Sequence, residues 1–308
     1  MPIIGIAGKM MSGKSTVANY IAFRFRNTQP LVVGFSYALK GLNISRDGLL
    51  SYFPQKSLIA RSNLQRLGAF ARKIDPEIWI KSVDSLYQQN VSNTFIINDV
   101  RYRNEVEWIK KQQGVVIYLM PLISYTDDLP QHIIAHDSEQ FDPNWADKVI
   151  LYETIDEAKH KTLDYIRRIY PNLIPNDPFP IPLYLGLNIS NRKNWRKVAS
   201  DKTEFLQSYT QDDGKKVFEV VNNLLNASAD DIVLYSLMRV IDAHAGLFYF
   251  DAPSFGGMTE IIALALRQKP VAIVSESKTV AENEFVNFFA KVFTSETEAI
   301  NYIINYYT

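Results

Sequence analysis

Gly8-Lys9-Met10-Met11-Ser12-Gly13-Lys14-Ser15-Thr16 stands near the start of the chain, between the apolar run Pro2-Ile3-Ile4-Gly5-Ile6-Ala7 and a stretch with apolar residues at Val17, Ala18, Ile21, Ala22 and Phe25. The first run reads as a buried strand and the second as one stripe of a helix. Between them, Gly8 to Ser15 fits the pattern G-x-x-x-x-G-K-[ST] at every fixed position. The residue types follow from phosphate chemistry. Glycines permit the left-handed backbone that turns N–H groups toward an anion. A helix starting near Lys14 aims the positive end of its dipole at the same point. Lys14 then reaches the outer phosphates and the Ser15 hydroxyl ligates Mg²⁺. Gly8, Ser12, Gly13, Lys14, Ser15 and Thr16 are therefore the candidate ATP-binding set, with ATP and Mg²⁺ as expected cofactors. No N-K-x-D guanine signature occurs anywhere in the chain.

Working outward, β-branched runs alternate with helical stripes. Leu31–Ser36, Thr94–Val100, Gly114–Met120 and Asp147–Glu153 read as strands. Helices are expected over 57–73, from Pro76 with Asp75 as N-cap, over Asn104–Gln113, and from about Ile155 to Tyr170. This alternation predicts an α/β domain with a parallel sheet over residues 1–172. Pro171 to Pro182 then holds five prolines in twelve residues, a composition that resists both helix and central strand, and 173–181 reads as a linker. Beyond it, strands at Pro182–Ile189, Ala245–Asp251 and Lys269–Glu276, and helices at Val217–Asn226, Met258–Gln268 and Glu296–Tyr307, predict a second, smaller α/β domain over 182–308.

The bulk numbers restrict the chemistry. The 308 residues are 47% hydrophobic, enough for two buried cores. Lys plus Arg and Asp plus Glu both number 33, so the formal net charge is zero. That balance argues against a general nucleic-acid or anionic-membrane binder and toward small-molecule chemistry. With no cysteine, thiolate metal sites and Cys nucleophiles are excluded. The absence of thiols suits a reducing cytosol. No secretory leader and no membrane span is expected from the apolar runs. The expected location is the cytoplasm, that of a host if the protein is viral.

Three further stretches carry acceptor chemistry: Phe35-Ser36-Tyr37-Ala38-Leu39-Lys40; Arg61-x-x-Leu64-Gln65-x-x-Gly68-x-x-x-Arg72-x-Ile74-Asp75-x-x-x-Trp79; and Asn98-Asp99-Val100-Arg101-Tyr102-Arg103-Asn104-Glu105. Transfer between two anionic nucleotides needs cations to gather them, and Arg61, Arg66, Arg72, Arg101 and Arg103 supply these. With the phosphate loop, these stretches make residues 1 to about 165 resemble the phage-type deoxynucleoside monophosphate kinases, P-loop enzymes with an F-A-x-x-L-K, an R-x-x-L-Q-x-x-G-T-x-x-x-R and a D-V-R-F-x-N-E motif. Ala69 replaces the family's Thr. The resemblance implies that Lys40 and Arg72 hold the acceptor phosphate. It puts Arg101 on the acceptor or the transferring phosphate, and Asp99 on Mg²⁺ or the acceptor sugar. Arg61, Gln65 and Glu105 complete the expected substrate set. Gln65 reads equally as a base-edge reader or a surface amide, and Trp79 as a core residue before a base-stacking one. His136-Asp137-Ser138-Glu139 is similar to an H-x-S-E stretch of that family's lid, or serves as a capping segment.

In the second half, Phe248-Tyr249-Phe250-Asp251 is followed by Gly256-Gly257-Met258-Thr259-Glu260, a helical run and Lys269-Pro270 before a strand. Residues 182 to about 275 are similar to the nucleoside 2-deoxyribosyltransferase and deoxynucleotide N-hydrolase superfamily. That likeness implies Glu260 as nucleophile or stabiliser of a positively charged sugar, with Asp251, Gly256 and Gly257 on the substrate. Ile262 stands where the superfamily has glycine. A helix-terminal carboxylate favoured by the macrodipole is the structural reading of Glu260. The whole chain thus reads as a deoxynucleoside monophosphate kinase with a domain that binds or cleaves a deoxynucleotide. N-glycosidic chemistry as the main activity, or a non-catalytic nucleotide-binding regulator, are the alternatives. A homodimer or larger assembly is expected from the second likeness.

Overall fold

The computed structural model describes residues 2–36, 58–123, 131–187, 195–221, 239–240, 242–250, 252, 255–267 and 269–308. The chain divides into two compact units, Met1–Asn176 and Asp177–Thr308. Each is α/β, and each is built on a five-stranded sheet whose strand pairs are all parallel. Among the described residues no helix is long and apolar enough to cross a membrane.

In the first unit the strands are β1 (Ile3–Gly8), β2 (Leu31–Val33), β3 (Phe95–Val100), β4 (Val115–Pro121) and β5 (Lys148–Tyr152), in the order β2-β3-β1-β4-β5. The inner strands β1, β3 and β4 are covered on both faces, which is why they are mostly apolar; the edge strand β5 alternates buried and exposed residues. Side chains alternate between the faces. Ile4, Ile6, Ile96, Ile117, Leu119 and Ile150 pack on one side with Val17 and Ile21 of helix Lys14–Arg24 and Leu163 and Ile166 of helix Ile155–Ile169. Ile3, Ala7, Phe95, Ile97, Val116 and Tyr118 pack on the other with Trp79, Ile80 and Val83 of helix Ile78–Gln89 and Val106 and Ile109 of helix Arg103–Lys111. Each fully buried Ile or Val stabilises the unit by roughly 1.5–3 kcal/mol.

Helix ends follow local chemistry. Thr154 caps Ile155–Ile169 by accepting from the Glu157 N–H at 3.2 Å. Asp75 does not cap the next helix as expected: Glu77 holds the N-cap position of Ile78–Gln89, and the Asp75 carboxylate accepts the Glu77 N–H at 3.0 Å. Pro76 fixes a turn there, and the aspartate bonds its own backbone two residues on.

The second unit has β6 (Ile181–Leu187), β7 (Phe218–Val220), β8 (Ala245–Tyr249), β9 (Val271–Val274) and β10 (Lys291–Phe293), ordered β10-β9-β8-β6-β7. Tyr184, Phe248, Val271 and Ile273 pack on Ile261 and Leu264 of helix Phe255–Leu266. Three expectations are corrected here. Phe218–Val220 is a strand, not the start of a helix over Val217–Asn226: its Phe and Val pair in register with Ile181 and Leu183 of β6. β6 begins at Ile181, the last residue of the expected linker 173–181, one position before Pro182, where the strand was expected to start; the Pro182 carbonyl accepts the His244 N–H at 2.8 Å. Gly256 and Gly257 lie within the first turn of helix Phe255–Leu266, not in a turn before it, so Glu260 sits in the second turn and not at the helix head.

Candidate functional site

The phosphate loop joins β1 to the helix Lys14–Arg24, and its backbone has the required handedness. Gly8, Met11 and Gly13 have φ of 148°, 62° and 70°. At Gly8 a Cβ would lie 2.5 Å from Ser12 Oγ and 2.8 Å from the Leu119 carbonyl, so only glycine fits that bend. The Ser12 N–H closes a turn on the Lys9 carbonyl at 3.3 Å, and the Tyr152 hydroxyl donates to the Ser12 carbonyl at 2.7 Å, tying the loop to β5. Lys14 is buried, and its ammonium donates to the carbonyls of Gly8 (2.8 Å) and Lys9 (2.6 Å) and toward Ser12 Oγ (3.5 Å). Ser15 is exposed on the first helical turn and Thr16 half-buried. A helix start of this kind presents its first-turn N–H groups and the positive end of its dipole toward the loop, a setting that favours an anion.

The sheet order places this loop at a crevice. β1 connects to β2 past β3 in one direction, and β3 connects to β4 past β1 in the other. Crossovers that diverge in this way leave a ligand crevice at the carboxyl ends of the strands. The Gly8 loop and the Asp99–Arg101 segment leave adjacent strands at that edge.

An array of charged side chains extends from the loop. The Arg101 guanidinium donates to the Ser138 carbonyl at 2.8 Å and to the Glu139 carboxylate. The other Glu139 oxygen accepts the Met10 N–H of the loop at 2.8 Å. Burial opposes ionisation of Glu139, but the positive charges of Arg101 and Lys14 outweigh it and hold its carboxyl below the usual range. Burial likewise opposes the charge on Arg101, yet Glu139, Asp99 and Glu105 keep its pKa above the ordinary arginine value. Next along the array, Glu105 accepts the N–H groups of Arg101 (2.8 Å) and Tyr102 (3.1 Å) and pairs with the Arg72 guanidinium (3.0 Å). The Arg72 guanidinium carbon lies 3.9 Å from the Tyr102 ring centroid, a cation–π contact that fixes its plane. Helix Leu58–Ile74 thus joins the array through Arg72, and again through Gln65, whose amide donates to the Ile133 carbonyl at 3.3 Å.

The structure therefore brings together Lys14, Arg101, Glu105, Arg72 and Gln65, with the loop residues Gly8, Ser12 and Gly13 beside Lys14. It does not bring in Arg103, which is exposed and paired with Glu107 at 2.9 Å, nor Arg66, which is exposed. Trp79 is a core residue, 4% exposed. Asp99 braces the β2 exit: its carboxylate accepts the Phe35 N–H (2.6 Å), the Ser36 N–H (3.0 Å) and the Ser36 hydroxyl. His136 caps the short turn Asp137–Glu139 by accepting from the Ser138 N–H at 3.2 Å. Lys40 and Asp251 lie outside the described residues, as do the side chains of Arg61 and Gly256. Gly257 and Glu260 are both half-buried on helix Phe255–Leu266. Glu139 is the residue whose contact with the loop was missed by sequence reasoning, which reads it only as part of the stretch His136–Glu139, as lid or capping segment. It meets the loop from 129 positions away, and no local pattern signals that.

For Mg²⁺, Ser15 offers an exposed hydroxyl beside the loop and Asp99 a carboxylate, and hard oxygen donors of this type suit the ion. The three bonds to Phe35 and Ser36 limit Asp99 to the lone pairs they leave. Among the described residues no cluster of three or more His, Asp or Glu forms a metal site without a nucleotide.

Glu105 gives the array a pH signature. Burial pushes its carboxyl from 4.5 up to about 7, against the pull of Arg72 and the two amides. A raised folded-state pKa means that the native chain binds this proton more tightly than the unfolded chain. The resulting stabilisation is complete below about pH 4.5 and is lost as pH rises through 7. The free energy of unfolding of the wild type, minus that of Glu105→Gln, is expected to be about 2–3 kcal/mol larger at pH 5 than at pH 8. Urea unfolding followed by tryptophan fluorescence at the two pH values checks this, and an equal difference at both would rule it out.

Comparison with protein-family models and with curated proteins finds no match to this chain.

Proposed function

We propose that residues 1–172 form a deoxynucleoside monophosphate kinase: ATP + dNMP → ADP + dNDP. The observation that carries this reading is the continuity of one charged array from the phosphate loop, through Arg101, to Arg72 on a separate helix. A hydrolytic motor needs cations only around its single nucleotide. An array running from the loop to a second element suits a second phosphate-bearing substrate. In this scheme an oxygen of the acceptor phosphate attacks the γ-phosphorus in line. The bond from that phosphorus to the β–γ bridging oxygen breaks and ADP leaves. The loop amides and Lys14 hold the β- and γ-phosphates, Arg72 holds the acceptor phosphate, and Arg101 lies between them to meet charge on the transferring group. Ser15, with what Asp99 can offer, would hold Mg²⁺, which neutralises charge on the donor phosphates. Lys14 exchanges its carbonyl partners for phosphate oxygens on binding.

For residues 182–308 the same proposal holds that a deoxynucleotide is bound or cleaved at Glu260. The second sheet supports this with its own switch point: β6 leads to β7 on one side, while β8, β9 and β10 build out on the other.

A screen of all dNMPs with ATP and Mg²⁺, following ADP, dNDP and free base, tests the whole reading. ADP formation that depends on one dNMP supports the kinase. Free base that disappears in Glu260→Ala supports N-glycosidic chemistry in the second unit. ATP binding without either product would instead identify a nucleotide-binding regulator.

A further inference from the structure

We infer that Glu139 is a positioning residue, which holds Arg101 in register with the phosphate loop. The claim rests on the kinase reading, which assigns both partners to phosphate, and adds to it a residue with no phosphate contact of its own.

Glu139 is 6% exposed and lies on the short turn after β4, far from both partners in sequence. One carboxylate oxygen takes a loop amide, Met10 N–H, and the other takes the Arg101 guanidinium. The two groups leave different strands, and this single planar carboxylate spans them. The same turn also meets the acceptor-side helix, since Gln65 donates toward Ser138 Oγ at 3.5 Å and to the Ile133 carbonyl. Donor loop, transfer arginine and acceptor helix therefore converge on four residues, His136 to Glu139. The carboxylate is the only side-chain type that serves here, because both partners are donors. Glutamine offers one acceptor and turns its amide N–H₂ toward the other donor, so one contact becomes a donor facing a donor. A buried ion pair is weak evidence for stability but a good device for fixing geometry. A displacement of about 1 Å at a transferring group costs on the order of 10²-fold in rate.

The test is Glu139→Gln in the full chain, with Glu139→Asp as the milder variant if the first folds poorly. Steady-state turnover with ATP, Mg²⁺ and the accepted dNMP should show kcat about 10²-fold lower, with both KM values within roughly threefold of wild type. Aspartate should recover part of kcat. Wild-type kcat in a folded Glu139→Gln, or a rise confined to KM for ATP, would overturn the inference. An activity-independent readout separates this claim from the kinase reading. Amide hydrogen exchange in residues 8–16 and in residues 101–105 should accelerate together in the variant. Acceleration in only one of the two stretches refutes the coupling, even if the wild type proves to transfer no phosphate.

Discussion

Replacing Lys14 with alanine is expected to lower dNMP-dependent ADP formation by about 10³-fold or more, the scale set by losing one charged stabiliser of a transferring phosphoryl group. The ammonium now lies inside the loop against the Gly8 and Lys9 carbonyls, where a bound triphosphate would meet it without reorganising the backbone. Its removal leaves those two carbonyls without this donor, at a cost of about 1–2 kcal/mol, small enough for the chain to remain folded. Circular dichroism should therefore be unchanged while ATP affinity and turnover both fall. Any base release by the second unit should persist, because Glu260 lies on a helix of that separate unit. Lys14→Ala with full kinase turnover would refute the assignment of the loop. Loss of base release along with kinase turnover would show instead that the second activity depends on the first.

How far such assignments could be read from sequence depends on the range over which the responsible forces act. The loop was legible because its requirements are local: φ above zero at Gly8 and Gly13, and a helix that begins at Lys14, are set within nine residues. The strands of the first unit were legible because burial on both faces forces continuous β-branched runs such as Phe95–Val100. Where local signals compete, the reading failed. Val217–Asn226 is apolar enough for either element, and pairing with β6 decided for a strand at Phe218–Val220. The helix Trp195–Ser208 and the three-residue strand β10 were not anticipated: the first is mostly polar, with few apolar residues to mark its buried face, and the second is held by its neighbour β9. Asp99 carried the signal of a metal or sugar ligand, yet its carboxylate also holds the Phe35–Ser36 corner, a contact across 64 positions. The charged array followed the same rule. Arg72, Arg101 and Glu105 stood out by residue type, but the link from Arg101 to the loop exists only once the fold has brought the turn Asp137–Glu139 against Met10.

That connection makes Arg101→Ala the most damaging substitution after Lys14→Ala. Deleting the guanidinium leaves the Glu139 carboxylate buried, with the Met10 N–H and the charge of Lys14 as its remaining support among the described residues. An ion pair broken from one side typically destabilises by about 3–5 kcal/mol, because the remaining charge keeps its desolvation penalty. The penalty has a predictable pH dependence. Without Arg101 the carboxyl loses the largest influence that lowers its pKa, so burial raises it, and protonation relieves the cost on acidification. Arg101→Ala should therefore lose most stability at pH 8 and less at pH 5. Turnover should fall by about 10³-fold, since the group meeting charge on the transferred phosphoryl is gone. The double variant Arg101→Ala/Glu139→Ala removes the stranded charge and should regain part of the stability with none of the turnover. Arg101→Lys retains a cation for Glu139 but loses the planar guanidinium, one nitrogen of which serves Glu139 and the Ser138 carbonyl together, so it should keep most stability and still turn over slowly. Urea unfolding and kcat/KM on the four proteins separate these contributions. If the double variant is no more stable than Arg101→Ala, the pair is not what holds this part of the fold, and the role assigned to Glu139 fails with it.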